Sequence, residues 1–280
     1  MDISFNPNQR RPRFPPSPEG GGLQRRNMMK TDIPVRLKKE PLIEALWEIR
    51  FTSANPSVAD LLPGILFKAL PNKYPNIVRL PAADIPAPIA EHDPNLRYVP
   101  KVRLEGGNQA IQIGEHVISL SCRRPYSGWE AFSTDIRTLI GIVRDTGLIE
   151  LPERFSLKYI DLIQLEEPPS LGCLNLNLRI GEYEIDARPV QLRTEIKEED
   201  LLHIIQIVSP AEASIPGEPD KFRGVLLDID SIRPIQEGES WPEVESNLDV
   251  VHSASKKMFF GLLTAETIER LEPEYQEPRP

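Results

Sequence analysis

Phe155-Ser156-Leu157-Lys158-Tyr159-Ile160-Asp161-Leu162-Ile163-Gln164-Leu165 is the stretch on which the fold turns. Phe155, Leu157, Tyr159, Asp161, Ile163 and Leu165 recur every second residue, so they share one face of a strand. Asp161 is then a carboxylate on an otherwise apolar face. Such a group needs hydrogen-bond partners or a raised pKa. Active sites place carboxylates this way, and so do structural caps of neighbouring loops.

Upstream of this strand, Trp129, Phe132, Ile136, Leu139 and Val143 recur at spacings of three and four. They predict a helix over about 128–146, with Gly147 as its C-cap. Between Pro41 and Phe51 the alternation of Trp47, Ile49 and Phe51 predicts another strand. Asn55-Pro56-Ser57 opens a helix with Ser57 as N-cap. Its apolar stripe is Val58, Leu61, Leu62, Ile65, Leu66 and Ala69, and Pro63 should kink it or delay its start. Pro81–Pro94 reads as a loop. Arg97–Leu104, Ala110–Ile113 and Val117–Cys122 read as short strands joined by turns. The order strand, helix, strands, helix, strand predicts a ferredoxin-like half over 37–167, with extra hairpin strands.

Downstream, Leu174–Ile180, Val190–Ile196, Leu201–Val208 and Gly224–Ile232 read as strands, with a turn at Lys197–Asp200 and a loop over Ser209–Phe222. A helix from about Trp241-Pro242 carries Val244, Leu248, Val251, Met258, Phe259 and Leu262. This second half spans 171–272, and the acidic, proline-rich tail 273–280 should fray. The expected class is α+β: two mostly antiparallel sheets with helices on one face.

The 280 residues suffice for one large domain or two medium ones. The 29 prolines, about twice the usual share, cluster at the two ends and in connecting stretches. Formal net charge is −9, but residues 1–39 carry nine Lys/Arg against three Asp/Glu, leaving −15 for the rest. The acidic body argues against electrostatic nucleic-acid binding except through the basic arm at 1–32, which composition predicts to be disordered. That arm also reads as an extension upstream of a start at Met28 or Met29. Cys122 and Cys173 sit in apolar contexts, as small buried hydrophobes do, and not as a disulfide framework. No secretory signal and no apolar run long enough to span a bilayer is evident. The expected compartment is the cytoplasm, with no membrane partner.

Catalytic signals are sparse. His92, His116, His203 and His252 are scattered, and no zinc, nucleophile-elbow or phosphate-loop motif is present. No cofactor is implied. A zinc site from His116 and Cys122 lacks two further ligands nearby. Tyr126 and Trp129 flank Ser127-Gly128 between a strand and a helix; they read as helix entry and core, or as an aromatic wall for a ligand. Asp228 and Asp230 share one side of a strand and read as its solvated side, or as metal ligands or an acid/base pair. Asp249 and His252, three apart on the last helix, read as a pair that holds the helix against the sheet. The candidate binding or signature residues are therefore Tyr126, Trp129, Tyr159, Asp161, Asp249 and His252.

These segments also carry a family resemblance. Pro41-Leu42-Ile43-Glu44-Ala45 running to Glu48-Ile49-Arg50-Phe51, Tyr126-Ser127-Gly128-Trp129 with Phe132, Leu157-Lys158-Tyr159-Ile160-Asp161, and Leu248-Asp249-Val250-Val251-His252 with Phe259 and Thr264 are similar to a sporadically distributed, functionally uncharacterised bacterial and archaeal family. The resemblance spans about 37–272. The family pattern has Arg-Tyr-Ile-Asn where this chain has Lys158-Tyr159-Ile160-Asp161. It implies no activity, cofactor or catalytic residue. Its patchy distribution fits mobile accessory genes, such as phage-defence or toxin–antitoxin partners. The expectation is a non-enzymatic binding or regulatory protein that contacts a protein partner, with a basic one suiting the acidic body. The alternative is a metal-dependent hydrolase or nuclease using Asp161, Asp228 and Asp230, which requires those carboxylates to converge.

Overall fold

The computed structural model describes residues 33–53, 58–94, 96–165, 167–214 and 221–276. The arm 1–32, Ser57 and residues 277–280 lie outside them. In chain order the first half comprises β1 (Arg36–Leu37), β2 (Leu42–Thr52), α1 (Val58–Ala69), β3 (Asn76–Arg79), α2 (Ala87–His92), β4 (Val102–Gly106), β5 (Gln109–Ile113), β6 (Val117–Arg123), α3 (Trp129–Asp145) and β7 (Leu151–Ile163). The second half adds β8 (Arg179–Ile180), β9 (Tyr183–Glu184), β10 (Val190–Glu198), β11 (Leu201–Ser214), β12 (Lys221–Pro234), α4 (Trp241–Leu262), α5 (Ala265–Arg270) and β13 (Pro273–Glu274). The protein is α+β.

The two expected sheets are one. Nine strands run in the order β10-β11-β12-β7-β2-β6-β5-β4-β3, and every neighbouring pair is antiparallel. The seam is β7 against β12, where Tyr159 faces Ile229 and Asp161 faces Leu227. A strand at a sheet edge leaves a row of N–H and C=O groups unpaired. Pairing with β12 satisfies that row on β7 and puts the strand near the middle of the sheet. The inward face of β7 continues into Trp47 and Ile49 of β2 on one side and into Leu227 and Ile229 of β12 on the other. One buried cluster joins Trp47, Phe51, Phe155 and Leu157 to Leu62 and Leu66 of α1, Phe132 and Ile136 of α3, and Leu248 and Val251 of α4. A second joins Ile205, Ile207, Leu227 and Ile229 to Leu171, Leu174, Leu263 and Leu271.

Several boundaries differ from expectation for physical reasons. Of the strand expected over Leu174–Ile180, only Arg179–Ile180 forms, as β8 paired with β9. A short 3₁₀ turn at Leu171–Cys173 precedes this stretch, and Leu174 bridges Leu263, so these apolar residues plug the second cluster instead of alternating along a ladder. Within the loop expected over Ser209–Phe222, residues 209–214 and 221–222 are strand, and 215–220 lie outside the described residues. Pro210 cannot donate to a ladder, and the register shifts between Val208 and Ala211, as at a bulge. Pro81–Pro94 contains a 3₁₀ turn and α2, and the strand expected from Arg97 begins only at Val102. α1 starts at Val58 despite Pro63, and the Ala59 N–H in its first turn donates to the Glu115 carboxylate at 3.1 Å. The tail does not fray at Pro273–Glu274, which pairs with β1. Cys122 and Cys173 are buried free thiols. Among the described residues, no helix is long and apolar enough to cross a membrane.

Candidate functional site

Four elements converge on one cleft. Gly128 has φ +89°, a conformation that side chains resist, and it turns the chain directly into α3 with Trp129 as the first helical residue. β7 presents Tyr159 and Asp161 on one face. α4 presents His252, Ser255 and Phe259 at spacings of three and four, so they share a side of the helix. The rim is the segment through β1. Its Val35 N–H donates to Glu274 O (2.6 Å), its Lys39 N–H donates to Leu271 O (3.1 Å), and Lys39 pairs with Glu272 at 2.9 Å. The cleft has a volume of about 600 Å³, within the range of small-molecule sites.

The aromatic side of the cleft is tightly tied. The Trp129 indole stacks on the His252 imidazole, with centroids 4.1 Å apart and planes 5° from parallel. His252 Nδ1 lies 2.9 Å from the Tyr159 hydroxyl. Burial chiefly, and then the Lys256 ammonium, push the His252 pKa down to about 4, so at neutral pH the imidazole is uncharged. The Tyr159 hydroxyl donates to Nδ1 in the Nε2–H tautomer and accepts from it in the Nδ1–H tautomer. The expected Asp249–His252 pair is not hydrogen-bonded. The Asp249 carboxylate accepts instead from Trp129 Nε1 (2.7 Å) and Arg137 Nη2 (2.8 Å). Both residues meet Trp129 of α3, Asp249 at the indole N–H and His252 on the ring face, and His252 also reaches Tyr159 on β7. Trp129 is half-buried, so it serves both as a cleft wall and as a partner of the core, whereas Phe132 is fully buried.

The polar side of the cleft is incompletely satisfied. Asp161 is 4 % exposed, and no hydrogen bond or ion pair to it occurs among the described residues. Burial above all, then the charges of Glu40 and Asp228, raise its pKa to about 8. Ser255 is 1 % exposed, and its hydroxyl has no partner. The Tyr126 hydroxyl is near enough to Tyr159 to affect its ionisation but makes no bond of hydrogen-bonding geometry, and it too is unpartnered. The two cations at the cleft both have partners. Lys256 Nζ donates to Val35 O (2.9 Å), and Arg36 pairs with Glu274 (3.4 Å).

Five of the six residues singled out from the sequence thus line the cleft: Tyr126, Trp129, Tyr159, Asp161 and His252. Asp249 braces Trp129. Glu40, Ser255, Lys256 and Phe260 also line it and were not singled out. Ser255 had a legible signal, being a polar residue on the apolar stripe of α4. Asp228 and Asp230 belong elsewhere. Asp161 faces Leu227, so the adjacent Asp228 points to the opposite side of the sheet. There Asp228 and Asp230 flank Lys158 Nζ at 3.7 and 3.9 Å, with side chains only 14 % and 15 % exposed, so they are not the solvated side of the strand. Among the described residues, no group of three or more His, Cys, Asp or Glu side chains is placed to hold a metal ion. No protein-family model matches the chain, and no curated protein matches it.

Proposed function

We propose that the protein is a binding and regulatory protein that captures a small molecule in the cleft between β7, α3 and α4. The observation that carries this reading is Asp161: a carboxyl group buried in a 600 Å³ cleft without a hydrogen-bond partner among the described residues. An unpaired buried polar group costs stability. A site that holds such a group beside two further unpartnered hydroxyls, Tyr126 and Ser255, is poised to recover that cost from a ligand. The cleft is bordered by the rim segment and by both long helices. Contact with a protein partner, a basic one given the net charge of −9, belongs to the same proposal as the readout of binding. A defence or toxin–antitoxin setting is compatible with such a sensor.

We also infer a ferredoxin-like core in the first half, with its helices on one face. The order β7-β2-β6-β5 supports it, because fourth, first, third and second strands stand side by side once β3 and β4 are treated as an insertion. The shared cluster of α1, α3 and α4 residues with the inward side of β2 and β7 supports it too.

The test is a ligand-observed NMR screen of one- and two-ring fragments. Hits should perturb the indole N–H of Trp129, leave those of the buried Trp47 and Trp241 in place, and disappear in a folded Ser255→Leu variant whose cleft is filled. A screen without hits, or hits that bind the filled variant equally well, would refute the cleft as a ligand site.

A further inference from the structure

The ligand's chemistry can be narrowed from the groups that face the cleft; this step rests on reading the cleft as a ligand site. Its charged lining consists of Asp161, Glu40 and Glu130 against Arg36 and Lys256. Arg36 pairs with Glu274, and Lys256 Nζ donates to the carbonyl of Val35, itself a lining residue. An anionic ligand would meet three carboxyl groups against one cation, Lys256, that no carboxylate pairs with among the described residues. A purely apolar ligand would seal Asp161 away from water and leave it unpaired, which deepens the penalty. A ligand with an N–H donor and a positive charge pairs with it. The walls beside Asp161 are apolar and aromatic: Leu42, Trp129 and Phe259, the last held edge-on to Phe260 at 5.2 Å. We propose that the cleft takes a small one- or two-ring aromatic molecule bearing a protonated nitrogen, with that nitrogen donating to Asp161 and the ring against Trp129 and Phe259.

Tyr126 and Ser255 supply two further hydroxyls for polar substituents of the ring or linker. The proton balance follows. Asp161 holds its proton at neutral pH in the empty cleft. A bound cation favours the carboxylate, so this proton leaves to solvent when the amine binds. Tyr126, Tyr159, His252, Lys256, Glu40 and Glu130 face the same space. Burial also raises the pKa of Glu40 and lowers that of Lys256, so the Asp161→Asn variant identifies the source of the proton.

The experiment compares matched probes that share a ring and differ in the head group: tryptamine, tryptophol and indole-3-acetate, together with the corresponding benzyl series. Calorimetry at pH 7 should find each amine at least tenfold tighter than its alcohol and its acid. Asp161→Asn, close to isosteric, should bring the amine to within about threefold of the alcohol. Titrations in phosphate and in Tris should give a release of about one proton per amine bound by the native protein and none by the variant. Alcohols or acids that bind as tightly as amines, or amine binding unaffected by Asp161→Asn, would overturn the cationic class and leave the cleft as a site for another ligand. Failure of every head group, in a screen that also yields no fragment hits, would fail the cleft itself.

Discussion

Replacing Asp161 by asparagine removes its ionisation while nearly keeping its volume. In the folded protein its pKa lies at about 8, against an ordinary value of 3.8. Between these values the folded state holds a proton that the unfolded state has lost, so stability falls as pH rises. At about 1.4 kcal/mol per pH unit, the full span is on the order of 5 kcal/mol. His252 has the opposite sign. Its pKa is depressed from 6.5 to about 4, so below 6.5 the unfolded state binds the extra proton and stability is lost on acidification. The two contributions cancel between pH 4 and 6.5. Above 6.5 only Asp161 acts, and it lowers native stability by roughly 2 kcal/mol by pH 8. These are ceilings, because the effective dielectric of a protein interior screens such groups. Asp161→Asn should therefore gain on the native protein steadily from pH 4 to pH 8, the groups common to both cancelling in the difference. Denaturant unfolding followed by far-ultraviolet circular dichroism at pH 4.5, 6.5 and 8 reads this directly. A stability difference independent of pH would mean that Asp161 ionises as in water, and the argument for a desolvated cleft would collapse.

Phe132→Ala should cost roughly 3–5 kcal/mol, as for other fully buried aromatics, while Trp129→Ala should cost less because the indole is half-buried; equal losses in urea unfolding would contradict the placement of Trp129 at the cleft wall. Tyr159→Phe should cost about 1 kcal/mol through the lost bond to His252 and should move the NMR titration midpoint of His252; an unmoved midpoint would mean the two side chains do not interact. Calorimetric titration with Mg²⁺, Mn²⁺ and Ca²⁺ should give no micromolar binding, because Asp161 and the Asp228/Asp230 pair lie on opposite sides of the sheet. Binding abolished by Asp228→Asn would reinstate the hydrolase.

What the sequence made legible was largely what lies within a single element. The alternation through Tyr159 and Asp161, the helical stripe from Trp129 to Val143 and the start of the last helix at Trp241 all stand in the structure. The seam of the sheet was not legible. Each half offers plausible edge strands, and nothing in the local pattern says that β7 pairs with β12. The same pairing decides the candidate site. Whether Asp228 joins Asp161 depends on the parity of the register between two strands far apart in sequence, which no residue spacing records. Asp249 and His252 illustrate a smaller gap. Their spacing places them side by side, but the better partners come from α3 and β7, and competition among partners is settled by packing. Pro210 misled in the other direction, because its ring is accommodated where the register slips.

The state of the Asp161 carboxyl group tests the central claim most directly. In protein labelled with ¹³C in its aspartates, the Asp161 side-chain carbon should titrate with a midpoint near 8 when the cleft is empty, and saturating tryptamine should drive that midpoint below neutrality as the ion pair forms. An ordinary midpoint near 4 in the free protein, or a raised midpoint that tryptamine leaves untouched, would contradict the account of a buried, unpaired carboxyl awaiting a cationic ligand.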